Sequence, residues 1–506
     1  MSPSPLRFAH LTVQTDHSRN GSVVQIQPLV RRAAELGRHV IGIADDDVMT
    51  GVPELRQAAA QAGIRPVFGV RLAVDGGDRS DGSGATTAEE SSSRRARVTL
   101  TARTDDGLRN LYRLCSLAWL RGTPQAPAVS YDQLRTHRAG IMAITGDRYS
   151  EVGRHVLAGD LAAARDTLDK LVWALGPAWT RLAICVTREG PDPVLLEALA
   201  DLADRAGVAT VATANVQYLR PEDERHHRAA LCVATRSTLA DPGAVPAPDA
   251  TWLDPAIDDV AWARVRAAVM ENDRLAMWCR ADPLRRRSAP PRFMPEGDDQ
   301  SVLLRARVAT GLRERYGDPV PAAARERAEA ELEVIGRRSW DAYFLIVEGI
   351  VRWAEGQGIP VGPGRGSAAG AIVNYALRIT DVDPLHFDLL FERFLSPDRV
   401  SMPDIDIDFS VKGRERVMEY VTDKYGRERV AQIVTFGRML PRNATKDSAR
   451  IHGYDYATGD RLAKLIPEPI MGKTPPLEEC LAEGTELRQT YDTDPVAKEV
   501  LDTARG

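Results

Sequence analysis

Two segments, Val361-Gly362-Pro363-Gly364-Arg365-Gly366-Ser367 and Pro403-Asp404-Ile405-Asp406-Ile407-Asp408-Phe409, decide how this chain is read. In the second, acids and apolar residues alternate. Side chains on an extended strand point to opposite faces with a period of two. Asp404, Asp406 and Asp408 therefore share one face, and Ile405 and Ile407 take the other. Crowded like charges are costly unless a cation neutralises them. Oxygen-only ligands of this kind suit Mg²⁺, which takes one or two carboxylates together with substrate phosphate. In the first segment, Gly362, Gly364 and Gly366 let the backbone turn sharply and approach a ligand closely. Residues 366–375 read as a helix start with Ser367 as its cap. Amides at a helix N-terminus attract phosphate, and Arg365 adds a guanidinium fork that matches phosphate oxygens. A phosphate cradle about 40 residues before paired acids points to nucleotidyl transfer with two metal ions.

Each motif alone has a plainer reading. The glycine-rich segment is also an ordinary turn, and no Lys-Ser or Lys-Thr follows Gly366 as a nucleoside-triphosphatase loop requires. The acid ladder is also a solvated edge strand. A calcium loop is disfavoured, because Ile405 and Ile407 are not loop residues and no glycine stands at its sixth position. Together the two segments favour chemistry.

Between and around them run Tyr375-Ala376-Leu377, Ile379-Thr380-Asp381, Asp383-Pro384-Leu385, Leu390-Phe391-Glu392-Arg393-Phe394-Leu395 and Ser401-Met402. In this order the segments resemble the palm of family C of bacterial replicative DNA polymerases, the polymerase III alpha subunits. Gly370-Ala371 and Arg399-Val400-Ser401-Met402 are more similar to the replicative branch than to the error-prone one. The resemblance extends more weakly over nearly the whole chain.

The 506 residues are too many for one ordinary domain, and 43% hydrophobic content is ample for real cores. No apolar run is long enough to span a membrane and no signal peptide opens the chain, so a soluble, cytoplasmic protein is expected. Five cysteines, at 115, 185, 232, 279 and 480, are scattered and odd in number, which argues against disulfides or a zinc site. The net charge of −5 excludes a globally basic nucleic-acid binder. Locally, residues 411–450 hold ten Lys and Arg against five Asp and Glu. Such a segment beside an acid pair suits a DNA backbone, though a solvated helix face has the same composition.

Residues 1 to about 75 read as alternating strands and helices: strands at 8–14, 40–44 and 67–70, helices at 28–36 and 53–62. Such alternation implies a parallel sheet or barrel. Residues 76–95 are polar, almost without apolar side chains, and read as a disordered insertion. Strands follow at 98–102, 140–145, 181–186 and 209–212, with helices at 161–175 and 193–206. Prolines mark linkers between 246 and 291, and the run Arg285-Arg286-Arg287 reads as a solvated turn. Helices are expected at 300–316, 322–337 and 340–357. The last feeds a strand at 359–361, which carries the cradle. After the acids come a helix at 414–425, a strand at 430–435, and a helical region that Pro441 opens.

The first half resembles the polymerase-and-histidinol-phosphatase (PHP) domain that begins family C polymerases. The expected fold is therefore α/β: an N-terminal PHP-type (β/α)7 barrel over 1–270, then a nucleotidyltransferase-like α+β palm over 271–435, then a helical thumb over 436–506. Active PHP domains hold metals through His-x-His, Asp-His and Asp-x-His pairs, among others. Here the first pair aligns with Thr12 and Gln14, the second with Asp45 and Asp46, the last with Asn215 and Gln217. The acid expected after the third strand is replaced near Arg71. Neutral amides and hydroxyls are weak ligands beside imidazole or carboxylate. No metal and no phosphoesterase or proofreading activity is expected in this domain, and His10 and His17 read as structural.

The resemblance implies a DNA-directed DNA polymerase that adds deoxynucleotides to a primer 3′ end. In it, Asp404 and Asp406 are catalytic and hold two Mg²⁺ ions. Gly364, Arg365, Gly366, Ser367 and Arg393 bind the triphosphate, and Asp408, on the same face as the pair but outside it, is structural or supports the ligands. The implied partners are primer-template DNA, deoxynucleoside triphosphates, a proofreading exonuclease and other replicase subunits, with no membrane. A third metal-binding Asp, a phosphate-binding Lys, the fingers and later domains follow the thumb in the family. This chain reads as truncated before them, with its own activity open. The alternative is a non-catalytic module that binds a proofreading exonuclease or DNA.

Overall fold

The structure, a computed structural model, describes residues 9–505 except 19–21, 76–95, 122–126, 188–189, 192, 242–249, 253–258, 284–298, 397–401, 433–436, 438 and 470–473. The insertion at 76–95, the Arg285-Arg286-Arg287 run and most of the strand expected at 430–435 lie outside these residues. The chain forms two compact units: residues 1–286 with 438–506, and residues 287–437.

The first unit is built on a curled sheet. Its strands are β1 (Val40–Asp46), β2 (Arg65–Asp75), β3 (Val98–Ala102), β4 (Ala128–Ser130), β5 (Ile141–Thr145), β6 (Thr180–Thr187), β7 (Gly190–Pro191) and β8 (Ala209–Thr213). The main path runs β1-β2-β3-β5-β6, with β8 parallel to β6. It is not wholly parallel, as the alternation implied: β3 is antiparallel to both β2 and β5. Parallel neighbours need a crossover, usually a helix, whereas antiparallel ones need only a loop. β2 and β3 follow one another and pair antiparallel, so no crossover between them is required.

The strand expected at 8–14 is a single parallel bridge, Val13 to Ile43. It is nonetheless laid along β1, with Val13 N donating to Gly42 O at 3.1 Å and Gly42 N to His10 O at 2.7 Å. The approach is close enough to require glycine. A Cβ on Gly42 would lie 2.5 Å from Leu11 O.

Inside the curl, Ala9, Leu11, Val40, Val67, Met142, Ile144, Ala183 and Val211 form one core with Leu275 and Ala276 of the helix Asp259–Trp278 and with Cys279 just after it. That helix spans the junction read near residue 270, and its Asn272 serves the sheet. Asn272 is 1% exposed. Its Nδ2 donates to Ala9 O (2.9 Å) and Ala212 O (2.6 Å), and its Oδ1 accepts from Ala212 N (2.9 Å). One side chain thus satisfies the facing edges of the first segment and β8. We expect Asn272→Ala to cost about 2–4 kcal/mol, because it orphans buried backbone groups. A thermal melt of the variant checks this.

The helices Pro441–Ile451, Tyr456–Lys464 and Pro495–Ala504 belong to this unit. Pro441 stands at the helix start, where its missing N–H costs nothing. Ile451 packs with Ala229 and Cys232, and its carbonyl accepts from Leu239 N at 2.8 Å.

In the second unit, helices Gln300–Tyr316, Ala322–Arg337 and Asp341–Gly356 bury Leu304, Val308, Leu312, Leu332, Ile335, Phe344 and Leu345 in one core. Among the described residues, β structure here shrinks to one antiparallel bridge, Val361 to Phe409. It is flanked by Gly362 N to Asp408 O (2.8 Å) and Ser410 N to Pro360 O (3.1 Å). Strands expected at 359–361 and 404–409 go no further. Pro363 has no amide to continue the ladder, and Gly364 turns away with φ +107°.

Candidate active site

The acid ladder keeps its two faces although it is barely a strand. Asp404, Asp406 and Asp408 are exposed, while Ile405 and Ile407 pack against the core of the second unit. Neither Asp404 nor Asp406 makes a hydrogen bond or ion pair among the described residues. Ile405 N donates to Tyr343 Oη at 3.2 Å. Burial raises the Tyr343 pKa, and the nearby Asp404 and Asp406 charges raise it further.

The single bridge joins this ladder to the glycine segment. Gly366 has φ +63°, and a Cβ built on it would lie 4.0 Å from Asp406 Oδ2. Arg365 Nε lies 3.1 Å from Asp408 Oδ2, both side chains being more than half exposed. The segment's entry is fixed by Asp381 N donating to Pro363 O at 2.9 Å. Arg365 and Gly366 thus lie beside the acids, whereas a Cβ on Gly364 would meet the Thr380 side chain. Arg393 is exposed on the turn Phe391–Arg393, which packs on the turn Gly366–Gly370.

The helix start is not as the local sequence suggested. Residues Gly366–Gly370 form a 3-10 turn, and the α-helix runs only from Ile372 to Ala376. Ser367 is exposed and caps nothing. The amides of Ile372 and Val373 are instead taken by the Glu331 carboxylate, each at 3.1 Å. They are closed to phosphate. A buried side chain reaching in from another helix outbids a local hydroxyl, because the carboxylate bonds are charge-assisted.

Glu331 is 1% exposed. Burial pushes its pKa up to about 7, against the bonds from Val373, Arg327 and Ile372 that lower it. Its folded pKa therefore exceeds the ordinary value of 4.5, and the folded state keeps a proton the unfolded state has lost. That contribution is fully present below pH 4.5 and lost as pH rises through about 7. We expect Glu331→Gln to flatten this slope, which amounts to no more than about 3 kcal/mol. Urea melts at pH 5 and pH 8 check it.

Sequence reasoning missed Glu331, Arg327 and Tyr343. A signal for Glu331 was available: in Ala322–Arg337 the buried positions Ala324, Ala328, Leu332 and Ile335 trace a helical stripe, and Glu331 falls on it. A charge on an apolar stripe calls for a buried partner.

In the first unit, the residues aligned with metal ligands hold one another. Gln14 Nε2 donates to Asp46 Oδ1 (2.9 Å), and Gln217 Nε2 to Asn215 Oδ1 (2.7 Å) and to Gln14 Oε1. Asp45 accepts from the Thr15 amide (2.6 Å) and hydroxyl. Burial pushes its pKa up to about 6 despite those bonds. Two guanidinium groups enter where a cation is needed. Arg71 Nε lies 3.5 Å from Asp46 Oδ1, Arg97 Nη1 3.8 Å from Asp46 Oδ2, and Arg97 Nη2 2.9 Å from Asp47 Oδ2. Burial opposes the charge on Arg71, yet Asp46, Asp147, Tyr149 and Asp47 hold its pKa above the ordinary value. The small cavity beside it, about 30 Å³, is lined by Thr12, Thr99, Asp147, Thr213 and Asn215. Amides, hydroxyls and a fixed guanidinium do not suit a metal cluster. His17 is satisfied elsewhere, its Nδ1 3.0 Å from Thr50 Oγ1.

No described helix is long and apolar enough to cross a membrane. The family described as the bacterial DNA polymerase III alpha NTPase domain matches residues 302–506, and the PHP domain matches residues 10–180. The DNA polymerase III subunit alpha of Mycobacterium tuberculosis (strain ATCC 25618 / H37Rv) is 34% identical across 99% of this chain and 44% of its own length. That of Escherichia coli (strain K12) is 34% identical across 99% of this chain and 43% of its own. The chain therefore spans less than half the length of these curated relatives. Likeness to a solved amidohydrolase from Chromobacterium violaceum is too slight to carry an argument: TM-score 0.28 and 13% identity, over 42% of this chain and 88% of that one. With a PHP domain followed by the polymerase III alpha NTPase region, and relatives of that name along its whole length, the chain belongs to the bacterial DNA polymerase III alpha subunit family and corresponds to the N-terminal portion of its members.

Proposed function

We propose that this chain carries the metal- and nucleotide-binding part of a replicative DNA-directed DNA polymerase, which extends a primer 3′ end by two-metal nucleotidyl transfer. The observation that supports the reading is the approach of the glycine turn to the acids: a Cβ built on Gly366 would lie 4.0 Å from Asp406 Oδ2. Asp404 and Asp406 hold two Mg²⁺ ions. Among the described residues no group of three or more His, Cys, Asp or Glu is placed to hold a metal unaided. Two exposed carboxylates completed by phosphate oxygens and water suit Mg²⁺ well. When bound, the ions lower the pKa of the primer 3′ hydroxyl and stabilise the leaving pyrophosphate.

The chain's own residues bind and orient. Gly364, Gly366 and Ser367 let the triphosphate approach the backbone, and Arg365 and Arg393 neutralise its charge. The exposed Arg365–Asp408 pair is worth little by itself, so Arg365 turns to a triphosphate at small cost. Primer-template DNA, a proofreading exonuclease and other replicase subunits are the partners this reading implies.

Calorimetry of the 506-residue chain with a deoxynucleoside triphosphate tests it, with and without Mg²⁺. Binding that requires the ion is expected. Absence of binding, or binding indifferent to Mg²⁺, overturns the reading. Retention of primer-template DNA or of an exonuclease without triphosphate binding favours a non-catalytic module instead.

A further inference from the structure

The turn that faces the acids is held from behind by two side chains of the helix Ala322–Arg337. Arg327 Nη2 donates to Gly370 O at 3.0 Å and to Leu389 O at 3.1 Å. Its Nε donates to Glu331 Oε1 at 2.8 Å, and Glu331 in turn accepts from the amides of Ile372 and Val373. Gly370 ends the cradle turn, Ile372 and Val373 begin the helix after it, and Leu389 precedes the turn that bears Arg393. The two turns meet so tightly that a Cβ on Gly370 would lie 2.7 Å from Leu390 O.

We propose that Arg327 and Glu331 are positioning residues for the triphosphate: together they set the spacing between the Gly364–Ser367 cradle and Arg393. This rests on the reading of the cradle as a triphosphate site. Neither residue touches the ligand. Nη2 of Arg327 bridges the two carbonyls, between chain segments that no main-chain hydrogen bond among the described residues joins at Gly370 and Leu389. The carboxylate of Glu331 keeps that guanidinium in place and fixes the helix start behind the turn. A ligand with charges spread over three phosphates is sensitive to that spacing, because misplacement of one contact by about 1 Å costs up to 10²-fold.

Arg327→Lys separates this from a bland packing role. Lysine keeps the positive charge but has a single nitrogen, which cannot stand both where Nε meets Glu331 and where Nη2 meets the two carbonyls. In the whole chain with Mg²⁺, we expect its triphosphate Kd to rise about tenfold, the equivalent of one charge-assisted hydrogen bond. Mn²⁺ binding at Asp404 and Asp406, read by electron paramagnetic resonance, is expected to stay unchanged. Arg327→Met is expected to weaken the triphosphate at least as much, again without loss of Mn²⁺. Unchanged triphosphate affinity in both variants overturns the positioning role. Parallel loss of Mn²⁺ and triphosphate also overturns it, since that is the signature of a merely disrupted unit. If the unsubstituted chain binds Mn²⁺ but no triphosphate, the reading of the cradle falls first, and this inference with it.

Discussion

Asp406→Ala, made in a full-length polymerase carrying this sequence, is expected to abolish primer extension, by about 10³-fold or more. Asp404→Ala is expected to do the same. The reason is the isolation of these carboxylates. Each is exposed, and neither has a hydrogen-bond or ion-pair partner among the described residues. The fold therefore has little use for their charge, and a loss of activity will not be a loss of structure. In the chain itself, both variants are expected to lose Mg²⁺-dependent triphosphate binding while melting at the unchanged temperature. Asp408→Ala offers the contrast. Its carboxylate faces Arg365, so its removal frees that guanidinium rather than emptying a metal shell. A milder effect is expected there, confined to triphosphate affinity. Synthesis that survives Asp404→Ala or Asp406→Ala would remove the ladder from the mechanism.

What the sequence made legible follows the range of the forces involved. The helices 161–175, 193–206, 300–316 and 322–337 were read to the residue, because an apolar stripe between clear stop signals is a local property. The segregation of Asp404, Asp406 and Asp408 from Ile405 and Ile407 was equally local. Whether that segment pairs along its length was not, since pairing depends on what Pro363 and Gly364 do some 40 residues away in sequence. Ser367 was misread for the same reason. It has the composition of a cap, but the cap is supplied by Glu331, from a different helix. Likewise the mixed direction of the first sheet turns on β3, whose neighbours are fixed by the connection rather than by its own five residues.

The site in the first unit shows the same division. That Thr12, Gln14, Asn215 and Gln217 make a poor ligand set was plain from their chemistry. That guanidinium groups fill the place was not, because an arginine in a strand is ordinarily an edge or surface residue. In the fold, Arg71 is buried on β2 with its side chain turned toward Asp46 and the cavity.

Arg71→Met is accordingly expected to destabilise the first unit by about 3–5 kcal/mol, the usual cost of leaving a buried charge uncompensated. The Arg71 side chain is 11% exposed and that of Asp46 only 4%, so solvent does little to screen the loss. Arg97 remains, but its shorter contact is with Asp47 and not with Asp46. In a melt of the whole chain this corresponds to roughly 10 °C in the midpoint of the first transition. A chelator supplies the second half of the test. If guanidinium groups hold the mouth of this domain, EDTA is expected to leave the unsubstituted protein's midpoint where it was. A first-transition midpoint that falls with EDTA, or stoichiometric zinc or manganese that survives Asp404→Ala and Asp406→Ala, would show that a metal does this work. An Arg71→Met protein that melts normally would show that Asp46 finds its counter-charge elsewhere. Arg71→Lys separates charge from geometry: a shorter-reaching, more strongly hydrated ammonium restores the charge without the fork, so it should recover only part of the loss.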